Sequence, residues 1–285
     1  MTEKCHAGQE EKKGSKHMVK GLYTAWTGMV NEMNRLDVIT NNLANADTNG
    51  YKKEGATAES FESRLALRIK DSSVPNWRAK SLGDVNLGVK IGETYTDYTQ
   101  GSFKVTDNKY DCAIDGNGFF AISFTDKAGN TSVKYTRDGA FTISTDGFLR
   151  TKDGDYVLNQ NGALNGDPAA NNYIRLDPNV DFQIDKAGFI YQNDQLAGQL
   201  GLVDFENYDF LSKYGENMYD LVDGGQAVAA QGRIEQGNLE AANVKVVDEM
   251  VTMITIARAY ESNQKMIQTF DSMIDKAVNQ IGKVN

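Results

Sequence analysis

The chain has 285 residues, 40% of them hydrophobic and 24% charged, enough to build a buried core in one large or two modest domains. Its formal net charge is -9, and no Lys/Arg block interleaved with aromatics runs along it, so no nucleic-acid partner is expected. With 27 Gly and only 3 Pro, tight turns fall to glycine, which points to a turn-rich β portion. Residues 1–17 mix acidic and basic side chains without an apolar period and read as a disordered leader or tag, with Met18 the expected beginning. No apolar run approaches the length of a membrane span, and the N-terminus lacks the basic-then-apolar design of a cleaved signal peptide, so no membrane insertion is expected.

From Leu22 the spacing alternates between four and three: Leu22, Trp26, Met29, Met33, Leu36, Thr40, Leu43. This heptad seam predicts a helix of about 25 residues, about 40 Å long. One such helix cannot hide its own stripe from water and needs a partner. The helix runs into "TNNLANADTNGYKK", Thr40 to Lys53, so residues 18–50 read as an N-terminal helix with an Asn-rich joint. Asn and Asp side chains bond to local backbone, and Asn49-Gly50 suits the left-handed geometry that redirects a chain.

Residues 51–84 are a connector or extension, in which Phe61, Leu65, Leu67 and Ile69 fit a short helix or an extended arm and Trp77 stands among polar neighbours. Residues 85–236 read as a β-rich outer domain. Short runs such as "GVKIGETYTDYTQGSFKVT", "DCAIDGNGFFAISF" and "VDFQIDKAGFIY" alternate with Gly and Asp-Gly turns, the mark of antiparallel hairpins. Residues 237–285 hold a second helix with the same alternation: Val246, Met250, Met253, Ala257, Tyr260, Gln264, Ile267, Asp271, Ile274, Val278 and Ile281. A further set, Val247, Val251, Ile254, Met266, Phe270, Met273 and Ala277, widens that face and implies more than one neighbour. The expected fold class is α+β, with long N- and C-terminal helices pairing in a coiled-coil-like layer and a mostly antiparallel β domain inserted between them.

Chemistry finds little footing. His6 and His17 lie in or beside the leader without a zinc-like cluster, which also removes the usual general base. Cys5 and Cys112 lack CxxC spacing, and Cys112 reads as a small core residue. Asp115-Gly116-Asn117-Gly118 and Asp153-Gly154-Asp155 do not continue into a calcium loop and read as turns, while "GNGFF" is not a dinucleotide fingerprint. No catalytic residue, metal site or cofactor is expected.

"MVKGLYTAWTGMVNEMNRLDVITNNLANADTNGYKK" resembles the N-terminal signature of bacterial flagellar rod and hook proteins, carried here by Asn41, Asn42, Leu43, Ala44, Asn45, Thr48, Asn49, Gly50, Tyr51 and Lys52. Further matches follow in order: "TQGSF" from Thr99, "AIDGNGFF" from Ala113, "YTRDGAF" from Tyr135, "GNLEAANV" from Gly237 and "ARAYESNQKMIQTFDSM" from Ala257. The resemblance covers Met18 to Ile281, and the length is nearer to rod subunits than to a large hook protein.

The resemblance implies a non-enzymatic axial subunit of the basal-body rod, exported without a cleaved signal peptide. Copies would self-associate into a hollow helical drive shaft, the terminal helices inside and the β domain outside. The implied partners are further copies, adjacent rod and hook proteins, the flagellar export apparatus and ring proteins. The expected place is the distal rod; the alternatives are the proximal rod, a short hook-type protein or a secreted adhesion module. The residues expected at the assembly interface are Leu22, Trp26, Met29, Met33, Leu36, Asn41, Asn42, Leu43, Asn45, Asn49, Gly50, Val246, Met250, Met253, Tyr260, Ile267 and Ile274. Changes at Asn42 or Asn45 are expected to impair assembly more than the stability of the single chain.

Overall fold

The structure, a computed structural model, describes residues 4–68, 80–215 and 217–281. The chain divides into two compact units, the first made of Met1–Leu43, Glu54–Thr96 and Val246–Asn285, the second of Ala44–Lys53 and Asp97–Lys245.

In the first unit the N-terminal helix spans Lys4–Ala44. It begins upstream of Met18, so residues 4–17, expected as a disordered leader, are helical; their Ala, Gln, Glu and Lys are good helix formers even without an apolar stripe. The C-terminal helix spans Val246–Lys276, with Asp248 and Glu249 in its first turn and Lys276 in its last, matching the helix dipole.

These helices meet at glycines. A Cβ on Gly21 would fall 2.7 Å from Phe270 Cζ, and one on Gly28 would fall 3.0 Å from Asn263 Nδ2. Each pair of positions is one heptad apart and the two run in opposite directions, so the helices are antiparallel where they touch. The shielded rows are displaced by one residue from the expected seams. On the N-terminal helix Gly21, Ala25, Gly28, Glu32, Arg35, Ile39 and Asn42 are all buried or half-buried, whereas Trp26 and Met33 stay 49% and 46% exposed. On the C-terminal helix Glu249 and Ile256 are buried and Asn263 and Phe270 half-buried, while Val246, Met250 and Ile274 face solvent. Close approach at small residues decides which row turns inward, and apolar spacing alone does not encode it.

Between the helices four strands form an antiparallel arm: β1 (Glu54–Ser60), β2 (Arg64–Arg68), β3 (Lys80–Val85) and β4 (Val89–Thr96). β1 pairs with β4 from Glu54↔Thr96 to Ser60↔Val89, and β2 pairs with β3 from Arg64↔Val85 to Arg68↔Lys80. Of the two forms open to Phe61–Ile69, the described part takes the extended one; Ile69 and Trp77 lie outside the described residues. Residues 85–96, expected to open the outer domain, belong instead to the first unit. Their strand partner lies upstream at 54–60, and alternation reveals a strand without revealing its partner.

The second unit is antiparallel throughout its described pairings. Its strands are β5 (Phe103–Val105), β6 (Cys112–Asp115), β7 (Phe119–Thr125), β8 (Thr131–Thr136), β9 (Phe141–Ile143), β10 (Leu149–Thr151) and β11 (Tyr156–Val157). They continue as β12 (Phe182–Ile184), β13 (Phe189–Gln192), β14 (Gln195–Gln199), β15 (Leu202–Phe205), β16 (Leu211–Gly215), β17 (Met218–Leu221), β18 (Ala227–Ala229), β19 (Arg233–Gln236) and β20 (Asn238–Glu240). The main sheet runs β16-β17-β8-β7-β11-β10-β9, with β15 also on β7 and β18 on β15; β12-β13-β14 form a second sheet. The hairpin expected from "VDFQIDKAGFIY" appears as β12–β13, whereas "DCAIDGNGFFAISF" gives two strands that do not pair with each other: β6 pairs with β19, and β7 with β8, β11 and β15.

Alternation along β7 sends successive side chains into different clusters. Phe120 joins Cys112, Ile114, Phe141 and Leu149 in one, while Phe119 and Ala121 join Tyr135, Val203, Phe205 and Tyr219 in the other. Cys112 is fully buried, as its setting implies, and burial pushes its thiol pKa up to about 12.

Candidate functional site

Every passage of the chain between the two units leads through one of three segments of the second unit: residues 44–53, the stretch from Asp97, and the stretch ending at Lys245. These segments are bonded to one another around a buried charge cluster.

The first begins where the N-terminal helix ends. Thr48 N–H donates to the Asn45 carbonyl at 3.1 Å, and Thr48 Oγ1 donates to Asn45 Oδ1 at 3.3 Å, closing a turn built from the Asn-rich residues. Gly50 follows in the left-handed region at φ 67°, where a Cβ would also lie 2.5 Å from the Arg137 backbone; only glycine fits both demands. Its N–H donates to the Glu240 carbonyl at 2.7 Å, and Asn217 Nδ2 donates to the Asn49 carbonyl at 2.5 Å. The redirecting role expected of Asn49-Gly50 is thus visible in the backbone.

Tyr51 is buried, with Lys213 Nζ 4.3 Å from its ring centroid. Lys52 is 1% exposed and donates through Nζ to Glu240 Oε1 at 2.7 Å and to the Thr99 carbonyl at 2.8 Å. Glu240 also accepts from Arg137 Nη1 at 3.1 Å and from the Gly101 N–H at 2.9 Å. Two cations therefore share one carboxylate in the interior. Desolvation lowers the Lys52 pKa, and Glu240 opposes that shift by favouring the ammonium. Arg137 Nε is buried without a hydrogen-bond partner.

Asn243 completes the junction. Its Oδ1 accepts from the Lys53 N–H at 2.7 Å, its Nδ2 donates to the Asp97 carbonyl at 2.7 Å, and Asp97 N–H donates to the Lys53 carbonyl at 2.8 Å. One amide thus bridges the outgoing chain and the returning one. Gly139 packs against the same region so closely that a Cβ would fall 1.7 Å from the Cys112 carbonyl oxygen.

Within the first unit Asn42 is fully buried and acts as a surrogate strand partner. Its Nδ2 donates to the Glu54 carbonyl at 2.8 Å, and its Oδ1 accepts from the Glu54 N–H at 3.0 Å. This revises the expectation for Asn42: both amide groups are engaged inside its own chain, so its removal bears directly on monomer stability.

The other residues singled out in the sequence fall into distinct places. Asn41 is exposed, Leu43, Asn45 and Asn49 are half-buried, and Gly50 is buried. Leu22, Met29, Leu36, Met253, Tyr260 and Ile267 are half-buried on the helices, and Trp26, Met33, Val246, Met250 and Ile274 are exposed. Arg137, Glu240 and Asn243 are not among the residues that the sequence marks out. Their signal lay in the quoted runs "YTRDGAF" and "GNLEAANV", each of which carries a charge or amide that β patterning does not require.

The fold and the joint define a class: a β unit inserted between terminal helices, whose buried polar centre braces segments of its own chain against each other. The family signature described as "Flagella basal body rod protein" matches residues 22–52, that of the "Flagellar hook protein FlgE/F/G D1 domain" matches 113–193, and that of the "Flagellar basal body rod FlgEFG protein C-terminal" matches 235–281. The chain is 34% identical to the flagellar basal-body rod protein FlgG of Bacillus subtilis, over 92% of this chain and 99% of that protein. It is 32% identical to the rod protein FlgF of Caulobacter vibrioides over 94% and 100% of the respective chains, and 33% identical to the hook-basal body complex protein FlhO of Bacillus subtilis over the same shares. The chain belongs to the flagellar basal-body rod protein family.

Proposed function

We propose that this protein is a structural axial subunit of the flagellar basal-body rod, which polymerises helically into the hollow shaft that carries torque from motor to hook. The observation that carries the reading is the end-to-end match to rod proteins, with coverage of 99% of the FlgG relative. The subunit acts by packing and not by catalysis, and takes no cofactor. Its place is the distal rod, a reading supported by the several relatives named FlgG; the proximal rod is the alternative, supported by the FlgF relative.

The helices offer the assembly surface. Trp26 and Met33 on one, and Val246, Met250 and Ile274 on the other, leave large apolar side chains in water, where burial against neighbours gains about 25 cal/mol per Å². Leu22, Met29, Leu36, Leu43, Met253, Tyr260 and Ile267 border that surface, and the coiled-coil-like pairing of the two helices continues along it between copies. Such contacts are heterologous, one surface meeting a different one on the next copy, as an open helical assembly requires. Asn41, Asn45, Asn49 and Gly50 lie where the helices pass into the β unit, and contribute by fixing that exit; Asn42 contributes through Glu54. Adjacent rod and hook proteins, the export apparatus and the surrounding rings are the partners, and the subunit reaches them by export without a cleaved signal peptide.

The test is a double substitution, Trp26→Ser with Met33→Ser, introduced into cells lacking the parent gene. Loss of motility and of rods in isolated basal bodies, with the purified monomer melting as the parent does, is the expected result. Normal rods in that strain would overturn the assignment of this surface.

A further inference from the structure

We propose that Lys52, held by Glu240 and Thr99 beside Arg137, is a register lock: a positioning residue that fixes how the three joint segments are placed against each other and thereby sets the straightness of the assembled shaft. The proposal rests on the rod reading above and names the residue in the joint that governs its shape.

Lys52 is poorly suited to a stabilising role. Glu240 is already paired with Arg137 and the Gly101 N–H, so the Lys52 ammonium brings a second buried cation to a carboxylate that is otherwise matched. Arg137 Nε is left buried without a partner. Desolvation of this third charge works against the attraction of Glu240, and with Lys52 gone Glu240 keeps Arg137, so no carboxylate is left buried and unpaired; replacing buried ionic groups by apolar ones of similar volume is often neutral or stabilising.

Lys52 Nζ touches two segments at once, Glu240 Oε1 at 2.7 Å and the Thr99 carbonyl at 2.8 Å. A slip of residues 44–53 by one position would carry the Lys52 ammonium away from Glu240 Oε1 and the Thr99 carbonyl and leave a buried cation without its partners. A methionine at position 52 fills the same space with no such penalty, so neighbouring registers come closer in energy. Polar groups in an interior act in this way where one arrangement must be chosen over several similar ones.

The segments that Lys52, Glu240 and Thr99 occupy are those through which the chain passes between its units. Variation there is repeated at every copy of a polymer, so small differences in placement add up along the shaft.

The experiment expresses Lys52→Met and Lys52→Arg in cells lacking the parent gene, images the rods of isolated basal bodies by electron microscopy, and melts each purified subunit. For Lys52→Met we expect a melting temperature equal to or above the parent's, rods that still form, and a clearly broader distribution of rod curvature. Lys52→Arg, which keeps the charge, narrows that distribution again. Rods of Lys52→Met as straight and uniform as the parent's would overturn the lock. So would a large fall in its melting temperature, which would make the charge a stability element. If the parent subunit were absent from isolated rods, the rod reading itself would fall, a result distinct from either.

Discussion

The two units solve opposite problems. The β unit hides many of its large apolar side chains, Phe119, Phe120, Phe141 and Tyr219 all being 2% exposed or less, and gathers three buried charges, Lys52, Arg137 and Glu240, in one joint, with Asp111 and Lys134 buried elsewhere. The helices do the reverse: Thr27, Asn31, Asn42 and Glu249 are buried, while Trp26, Met33, Val247, Val251, Ile254, Met266 and Met273 face solvent. Asn31 Oδ1 is even buried without a hydrogen-bond partner. A β unit of this kind carries its own core. A helical layer that shelters amides and exposes valines is a part awaiting its neighbours.

That contrast is open to attack by mutation. The largest effect belongs to Glu240→Gln, which leaves Lys52 and Arg137 buried without a counter-charge; the unit loses about 4 kcal/mol, read by urea denaturation of the monomer. Next comes Asn42→Ala, which strips the Glu54 backbone of both its bonds and costs about 1–3 kcal/mol in the same assay. An unchanged midpoint there would return Asn42 to a purely intermolecular role.

The pH response of Lys52 is smaller. Burial lowers its pKa below the ordinary 10.5, so on raising the pH the folded state loses this proton before the unfolded state does. Between the lowered value and 10.5 the unfolded chain binds more protons, and this group's contribution makes stability rise with pH. Lys52→Met removes that contribution, so the difference between parent and variant stability curves, measured by denaturation across alkaline pH, isolates it.

The smallest effect on the single chain is expected from Val251→Ser with Ile254→Ser. These side chains are 59% and 53% exposed, so each change shifts monomer stability by no more than about 0.5 kcal/mol while weakening assembly. A large loss in the monomer would mean that these side chains already have partners within one chain, and the contrast between the units would dissolve.

Much of this organisation is legible in the residues. Heptad spacing gives both helices, period-two runs with Gly turns give the hairpins, and Asn49-Gly50 gives the left-handed turn, because each depends on neighbours close in sequence. Three things depend on distant neighbours and are not legible. The shielded helix rows follow Gly21 and Gly28, where small size permits approach, and not the apolar seam one residue away. The arm takes in β4 because Val89–Thr96 pairs with residues far upstream. The joint recruits Arg137, Glu240 and Asn243 from separate runs, each an ordinary surface-type residue until folding brings them to Lys52.

The Lys52–Glu240 bond joins positions 188 residues apart in sequence. Closing so long a loop is entropically costly before its contacts form, which places the event late in folding. Until Glu240 is in reach, Lys52 stays hydrated, so the joint closes only when nearly the whole polypeptide folds together. The joint is thereby sensitive to completeness: a chain cut short before Glu240 lacks the carboxylate that makes its buried cations tolerable, and its segments do not close around them.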